Sequence, residues 1–434
     1  MMLGELKRPA EALTQYDRSL ALNDQQGWVW SNRGAALEEL GRRDEALVNF
    51  DRALALDPTF AFAWNNKGNT LNGLGRHEEA LIAFDHALAI DTAYVNALYN
   101  MGNALDALGR YDEALAAYDR ALTIAPDDSG VWNNKGTVLQ DMGRNQEALA
   151  IFEHVVLIAP NDRDGWCNKG AALNDLGRRQ EALVALERAL AIDPTFAGAW
   201  LNLGNAFDGL ERYDEALAAY DRALAFAPGD ATVWYNKGNT FIRLDRLDSA
   251  LTAYDHALAL DPKLAPAWTN KAAILSNLER YDEALMACNQ ALTLAPPNSR
   301  VLLTKGRALA ALKRHEEALA AYNQLLSLDA THVVAWNEKG VALVQLARYD
   351  EALAAFDHAL AVDGDNTVAW NIKAILLADT GRREEALATN DQALALDPSN
   401  PSIWFARAAI LRALGRMAEA EAAERRARDL GFQG

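Results

Sequence analysis

The chain has 434 residues, a formal net charge of −18, 50% hydrophobic residues and two cysteines. Such a charge repels phosphate backbones and anionic lipid, which excludes nucleic acid and acidic membrane as expected partners, and two cysteines cannot build a disulfide framework. No apolar run of about 18 residues spans a bilayer and the opening MMLGELKRPAEAL lacks the apolar stretch of a secretory signal, so a soluble cytoplasmic protein is expected.

In chain order, residues 1–26 read as a partial unit. Met1 to Leu6 has room only for the tail of one helix, and a second helix is predicted over about Ala10 to Leu22. From Gly27 onward tryptophan sets the frame. Trp30, Trp64, Trp132, Trp166, Trp200, Trp234, Trp268, Trp336, Trp370 and Trp404 share one 34-residue register, and Leu98 and Leu302 fill its two remaining slots. A fixed period of this size marks a stacked repeat architecture. Twelve contiguous units then run from Gly27 to Gly434. Several globular domains would be the usual expectation at this length, but the unbroken period predicts one elongated stack over 27–434, each unit burying its apolar face on its neighbours.

Residues 61–94 illustrate one unit. Trp64, Leu71 and Leu74 form one stripe of a first helix. Gly75-Arg76 interrupts it, and in other units Glu, Asp, Lys or Ala replaces this glycine. A second helix is predicted over His77 to Ile90, with Ala80, Leu81, Phe84, Ala87 and Leu88 on one face. Asp91 closes it, at a slot often followed by proline, as in Asp57-Pro58 and Asp261-Pro262, and proline cannot continue a helix. Each unit is therefore helix, turn, helix, break. Alanine holds one second-helix slot throughout (Ala80, Ala114, Ala148 and their equivalents), and glycine or alanine holds a first-helix slot (Gly68, Gly102, Ala272). Small residues here let helix axes approach, with tryptophan and the Phe or Tyr of the second helix filling the space beside them. An acid such as Glu79 precedes the alanine, where it favours the positive helix terminus; Ser249 is the exception.

Trp64, Gly68, Ala80, Phe84 and Ala87 follow W-x2-L-G-x2-Y…A-x3-F…A…P slot by slot, with Leu71 in the tyrosine place. On these residues, recurring in twelve units, the chain resembles the tetratricopeptide repeat family over essentially its whole length. The resemblance implies an all-α fold, an α-solenoid in which antiparallel helix pairs coil into a right-handed superhelix. It also implies that first-helix slots two, five, six, nine, twelve and thirteen line a concave groove, where partners lie as extended peptides or short helices. One slot departs from the family. The leucine before the first glycine is replaced by Arg33, Lys67, Lys135, Lys169, Lys237, Lys271, Lys305, Lys339, Lys373 and Arg407. Their stems are expected to pack inward and their heads to meet a carboxylate or helix-end carbonyls of the preceding unit.

The groove slots carry the candidate binding residues. Asn32, Asn66, Asn100, Asn134, Asn168, Asn202, Asn236 and Asn270 occupy the sixth slot of eight consecutive units, after which it becomes Thr304, Glu338, Ile372 and Ala406. A carboxamide both donates and accepts, which suits the alternating groups of an extended peptide, and the superhelical repeats of O-linked N-acetylglucosamine transferases carry a similar ladder. The alternative is that each asparagine bonds within its own repeat. In the first six units the groove slots hold the acids Glu38, Glu39, Asp106, Asp141, Asp164, Asp175 and Asp208 and no base. In the last six they hold Arg243, Arg300, Arg307 and Arg412 beside Glu338 and Asp379, with an apolar run of Val334, Val341, Val344, Val368, Ile372, Ile375 and Phe405. A partner basic and polar on one half and apolar on the other would be complementary. The terminal-carboxylate clamp of some family members is not expected, because the fifth slot has no Lys or Arg and the second only Arg300.

No catalytic, metal or cofactor site is expected. His86, His154, His256 and His358 share a slot with Arg52, Arg120, Arg188 and Arg222, which marks a solvated surface, and none has the short paired spacing of zinc ligands. Cys167 and Cys288 have no histidine close in sequence to activate them. The expected function is a non-enzymatic scaffold for a partner protein or peptide. The alternatives are the regulatory arm of a larger, glycosyltransferase-like enzyme and a self-assembling spacer. Glu424 and Arg428 in core slots give the last unit the character of a polar cap, whereas the incomplete first unit suggests end-to-end self-association.

Overall fold

A computed structural model describes residues 9–432, in which 25 helices and no strand occur. The helix Pro9–Leu22 is followed by twelve helix pairs. The expected first-helix tail over Met1 to Leu6 lies outside the described residues. The predicted boundaries recur closely: the second helix of residues 61–94 runs His77–Ile90. The chain divides into two compact units, one ending at Pro228 and one starting at Gly229. Within each unit the two helices of every pair pack on one another as antiparallel neighbours, and each second helix also packs on the first helix of the next pair.

The turn inside each pair explains its variable glycine. Gly75 has φ +76°, with Gly75 N–H donating to the Asn72 carbonyl at 3.0 Å and Arg76 N–H to the Leu71 carbonyl at 3.0 Å. That is the left-handed helix ending in which glycine carries no Cβ penalty. Glu211, Asp245, Glu279, Lys313 and Ala347 adopt the same conformation, at φ between 56° and 61°. The next residue, Arg76, forks onto Glu79 three positions later, at 2.7 and 2.6 Å. This bond is the main cause that holds the Glu79 carboxyl below its ordinary range. Arg246, facing Ser249 in the corresponding place, lies instead over the Phe241 ring at 4.9 Å.

The core is a lock between the glycine slot and the aromatic slot of the same pair. A Cβ on Gly68 would lie 2.5 Å from Phe84 Cε1, and one on Gly136 2.5 Å from Phe152 Cε1. Both rings are fully buried. Where the slot holds alanine, the partner is no longer a ring: Ala272 faces Cys288, Ala374 faces Asn390 and Ala408 faces Glu424. Close packing makes the two positions one unit of shape.

Tryptophan packs half-buried against the core, as expected (Trp64, Trp132, Trp268), and has a second role. Its indole N–H donates to the carbonyl six residues earlier, in the break between pairs: Trp64 to Pro58 at 2.9 Å, Trp132 to Pro126 at 2.7 Å, Trp268 to Pro262 at 3.0 Å. It therefore pins the break to the first helix it precedes. The histidine slot stacks on it, with Trp64–His86 ring centroids 4.3 Å apart and Trp336–His358 4.5 Å. The cation slot covers it too: Lys67 Nζ is 5.4 Å and Lys135 Nζ 5.1 Å from the indole centroid. Several of these cations reach back to an acid on the second helix of the preceding pair, Lys67 to Asp51 at 2.7 Å, Lys135 to Asp119 at 2.6 Å and Lys271 to Asp255 at 2.5 Å. The head-to-preceding-carboxylate expectation is met at these positions, where it ties consecutive pairs together; before Lys305 and Lys339 the corresponding places hold Asn289 and Asn323.

Candidate peptide-binding face

The first helices bring the groove slots to one face because residues at these slots recur on one side of a 3.6-residue period. The asparagines of the sixth slot are half-buried there, apart from Asn270, which is buried. Their amide groups are largely spent inside the stack, on the preceding pair. Asn100 Nδ2 donates to Asn65 Oδ1 at 3.1 Å, Asn168 Nδ2 to Asn133 Oδ1 at 3.3 Å, and Asn202 Nδ2 to Cys167 Sγ at 3.5 Å. Asn134 Nδ2 donates to Asn103 Oδ1 at 2.7 Å and to the Tyr99 hydroxyl at 2.9 Å. Asn270 Nδ2 donates to the equivalent Asn239 Oδ1 at 2.9 Å, but its tyrosine partner is the second-helix Tyr254, at 3.2 Å. Asn66 Oδ1 accepts from Asn65 Nδ2 at 3.3 Å, Asn236 is also engaged, and Asn32 is half-buried on the same face. Neither sequence reading anticipated bonds between repeats. These bonds tie neighbouring pairs together through the ladder's Nδ2 groups.

The acids fall into two groups. Glu38 is bound by Arg43 at 3.1 Å, and Arg43 also donates to the Gly73 carbonyl of the next pair at 3.1 Å. Asp208 is likewise engaged, and Glu39 and Asp164 are exposed. Asp106, Asp141 and Asp175 come from three successive first helices. Burial, and secondly the nearby Asp141 charge, push the Asp106 carboxyl above its ordinary value. Asp175 accepts from Gln140 Nε2 at 2.7 Å, and Asp141 is exposed. Asp106 and Asp141 are thus like charges that act on one another, and a cation beside them would relieve the repulsion.

The bases are equally unlike one another. Arg307 pairs with Glu338 at 2.8 Å, and Arg243 is engaged. Arg412 pairs with Glu424, which also takes Arg428 at 2.7 Å. Arg300 is exposed and in no ion pair among the described residues. It borders a cavity of about 290 Å³ with Tyr235, Thr269, Asn270 and Pro296. The cavity lies where the break between pairs carries Pro296-Pro297, and Ala295 there is extended at ψ 156° where Asp261 has ψ 93°.

Sequence reading missed Asn337 and Asn371 in the fifth slot. Upstream, the fifth-slot oxygens of Asn65 and Asn133 accept from the next pair's ladder asparagine. At Asn337 and Asn371 that next residue is Ile372 and Ala406, and both Oδ1 atoms are buried without a partner. The signal was present as the end of the ladder one repeat later. Cys167 and Cys288 are buried, and burial pushes their thiols up to about 11 and about 12, which leaves them poor nucleophiles near neutral pH.

Models described as tetratricopeptide repeat match residues 27–60, 59–127, 107–167, 173–235, 231–264, 263–331, 304–377 and 373–431. Similar solved structures include YrrB, a TPR protein with an unusual peptide-binding site, at 27% identity and TM-score 0.35, covering 42% of this chain and 94% of that one. They also include the APC/C hetero-tetramer Cut9–Hcn1, at 15% identity and TM-score 0.42, covering 94% of each chain. A third is TTC0263, a thermophilic TPR protein of Thermus thermophilus, at 26% identity and TM-score 0.39, covering 42% of this chain and 98% of that one. No protein of curated function matches this chain.

Proposed function

We propose a function from one premise: the chain belongs to the tetratricopeptide repeat family. It is a protein-interaction scaffold that holds a partner, as an extended segment, along its first-helix face, and it performs no chemistry of its own. The observation that carries this reading is the division of labour between the helices. Within each compact unit second helices are packed between first helices of their own and the next pair, whereas the first-helix slots keep half-buried or exposed polar groups on one face. The Asp106, Asp141 and Asp175 cluster supports a basic, polar stretch of the partner at that place.

Site-specific photocrosslinking tests it. A photoreactive residue at Asn66 or Asn134 is expected to crosslink a bound partner, and one at Ile82 or Val184, exposed on second helices, is not. Crosslinks only from Ile82 and Val184 would move the binding surface to the other face. Charge reversal, Asp141→Lys with Asp175→Lys, is expected to weaken a basic segment by an order of magnitude or more, and unchanged binding would remove the acidic cluster from the site.

A further inference from the structure

We propose that Asn337 and Asn371, with the apolar side chains around them, form a subsite for a neutral, apolar peptide segment held in extended conformation. This rests on the interaction-scaffold reading and names the chemistry of one stretch of the partner. The carboxamides are the first observation. Neither side chain makes a hydrogen bond among the described residues, and each has its Oδ1 buried without a donor. A buried carbonyl oxygen without a donor is costly. Nothing inside the stack holds these two amides, unlike Asn65 and Asn133, so turning outward forfeits no bond. Outward, each offers one acceptor and one donor, and an extended segment has free N–H and C=O groups where a helix has used its own. The two asparagines stand one repeat apart on successive first helices, which spaces them along a chain running across the repeats.

The surroundings are the second observation. Val334, Val341, Val368, Ile375 and Phe405, all on first helices between residues 333 and 413, are 38 to 58% exposed. Apolar groups gathered in this way mark an interaction site. Charge decides what kind. Within the stripe Arg307 and Glu338 neutralise one another at 2.8 Å. Arg300, on the first helix before the stripe, and Asp379, on the same helix as Val368 and Ile375, are exposed and in no ion pair among the described residues. The complement is therefore an uncharged apolar core with an acidic residue toward Arg300 and a basic one toward Asp379.

Selection of random displayed dodecapeptides on the full chain tests the subsite. Enriched peptides are then measured by fluorescence anisotropy against the parent chain and against Val368→Glu, Asn337→Ala/Asn371→Ala and Asp141→Lys/Asp175→Lys. Val368 is largely exposed, so its replacement leaves the fold intact, which circular dichroism verifies. The expected result is a class of peptides with an apolar core that also carries one acidic and one basic residue. Their binding falls at least tenfold with the first two variants and is unchanged by the third. Peptides that lose binding only with Asp141→Lys/Asp175→Lys would overturn the subsite and leave the scaffold reading standing. No enrichment at all would overturn both. Concentration-dependent self-association of the chain, abolished by Val368→Glu, would place a second copy on the stripe and overturn the peptide assignment.

Discussion

Replacing Gly68 by alanine should change sign in its effect when Phe84 is removed. In the parent chain the new methyl would sit 2.5 Å from Phe84 Cε1, well inside the about 3.5–4.0 Å of a comfortable carbon contact. Overpacking of this kind costs about 1–3 kcal/mol, while alanine recovers about 1 kcal/mol of helix propensity over glycine. The net loss is about 1 kcal/mol. Phe84→Ala by itself empties a fully buried site and should cost about 3–5 kcal/mol. In that background the methyl meets space, so Gly68→Ala should now stabilise by about 1 kcal/mol, a coupling of about 2 kcal/mol between the two positions. Global unfolding is the wrong readout, because long repeat arrays depart from two-state behaviour. Amide hydrogen exchange followed by mass spectrometry over residues 61–90 reads the local opening directly. A tenfold change in exchange rate corresponds to about 1.4 kcal/mol. If Gly68→Ala destabilised equally in both backgrounds, the glycine would not be there for the ring.

The same lock predicts that Cys288→Phe destabilises its repeat by about 1–3 kcal/mol against Ala272, and that Ala272→Gly rescues it; exchange over 265–294 checks both. Ala347→Gly should stabilise its turn by about 1 kcal/mol, since a Cβ at φ +56° is strained, and slower exchange near residues 346–348 is the sign to look for. Asp106 has its folded pKa raised above the ordinary 3.8, so its ionisation opposes the fold, and that penalty develops as pH rises from the unfolded value through the folded one. Asp106→Asn should therefore raise the melting temperature at pH 7 and have little effect below the ordinary carboxylate range; a gain confined to low pH would reverse the assignment. Ile372→Asn should extend the ladder by one rung, donating to Asn337 Oδ1 and slowing exchange over 333–345, and faster exchange would show that the oxygen is not reached from that slot.

Much of the fold was legible because each unit repeats the same local rules. The break after Asp57, the turn at Gly75 and the helix His77–Ile90 follow from proline, left-handed glycine and apolar periodicity, all of which act within a few residues. The cation slot was legible too, since a lysine stem on an inward face leaves the head to find an acid, and Asp51 and Asp119 are in reach. The tryptophan was less so. Its register revealed the period, but its indole N–H bond to Pro58 depends on how the break folds back, which periodicity does not encode. The candidate site was the least legible part. Counting asparagines located a ladder, yet the same side chains are hydrogen-bonded across repeats, and the carboxamides left unheld, Asn337 and Asn371, lie in a neighbouring slot.

The chain's own order of residues determined the repeat, its two helices, its breaks and the face each side chain belongs to, because these depend on contacts between residues close in sequence. Only tertiary structure decided which polar groups remain for a partner. A hydrogen bond between slots 31 or 35 residues apart, such as Asn134 to Asn103 or Asn100 to Asn65, forms only when one helix pair stacks on the next. Whether a carboxamide is a strut or a free contact is therefore settled by the residue that the following repeat sets against it.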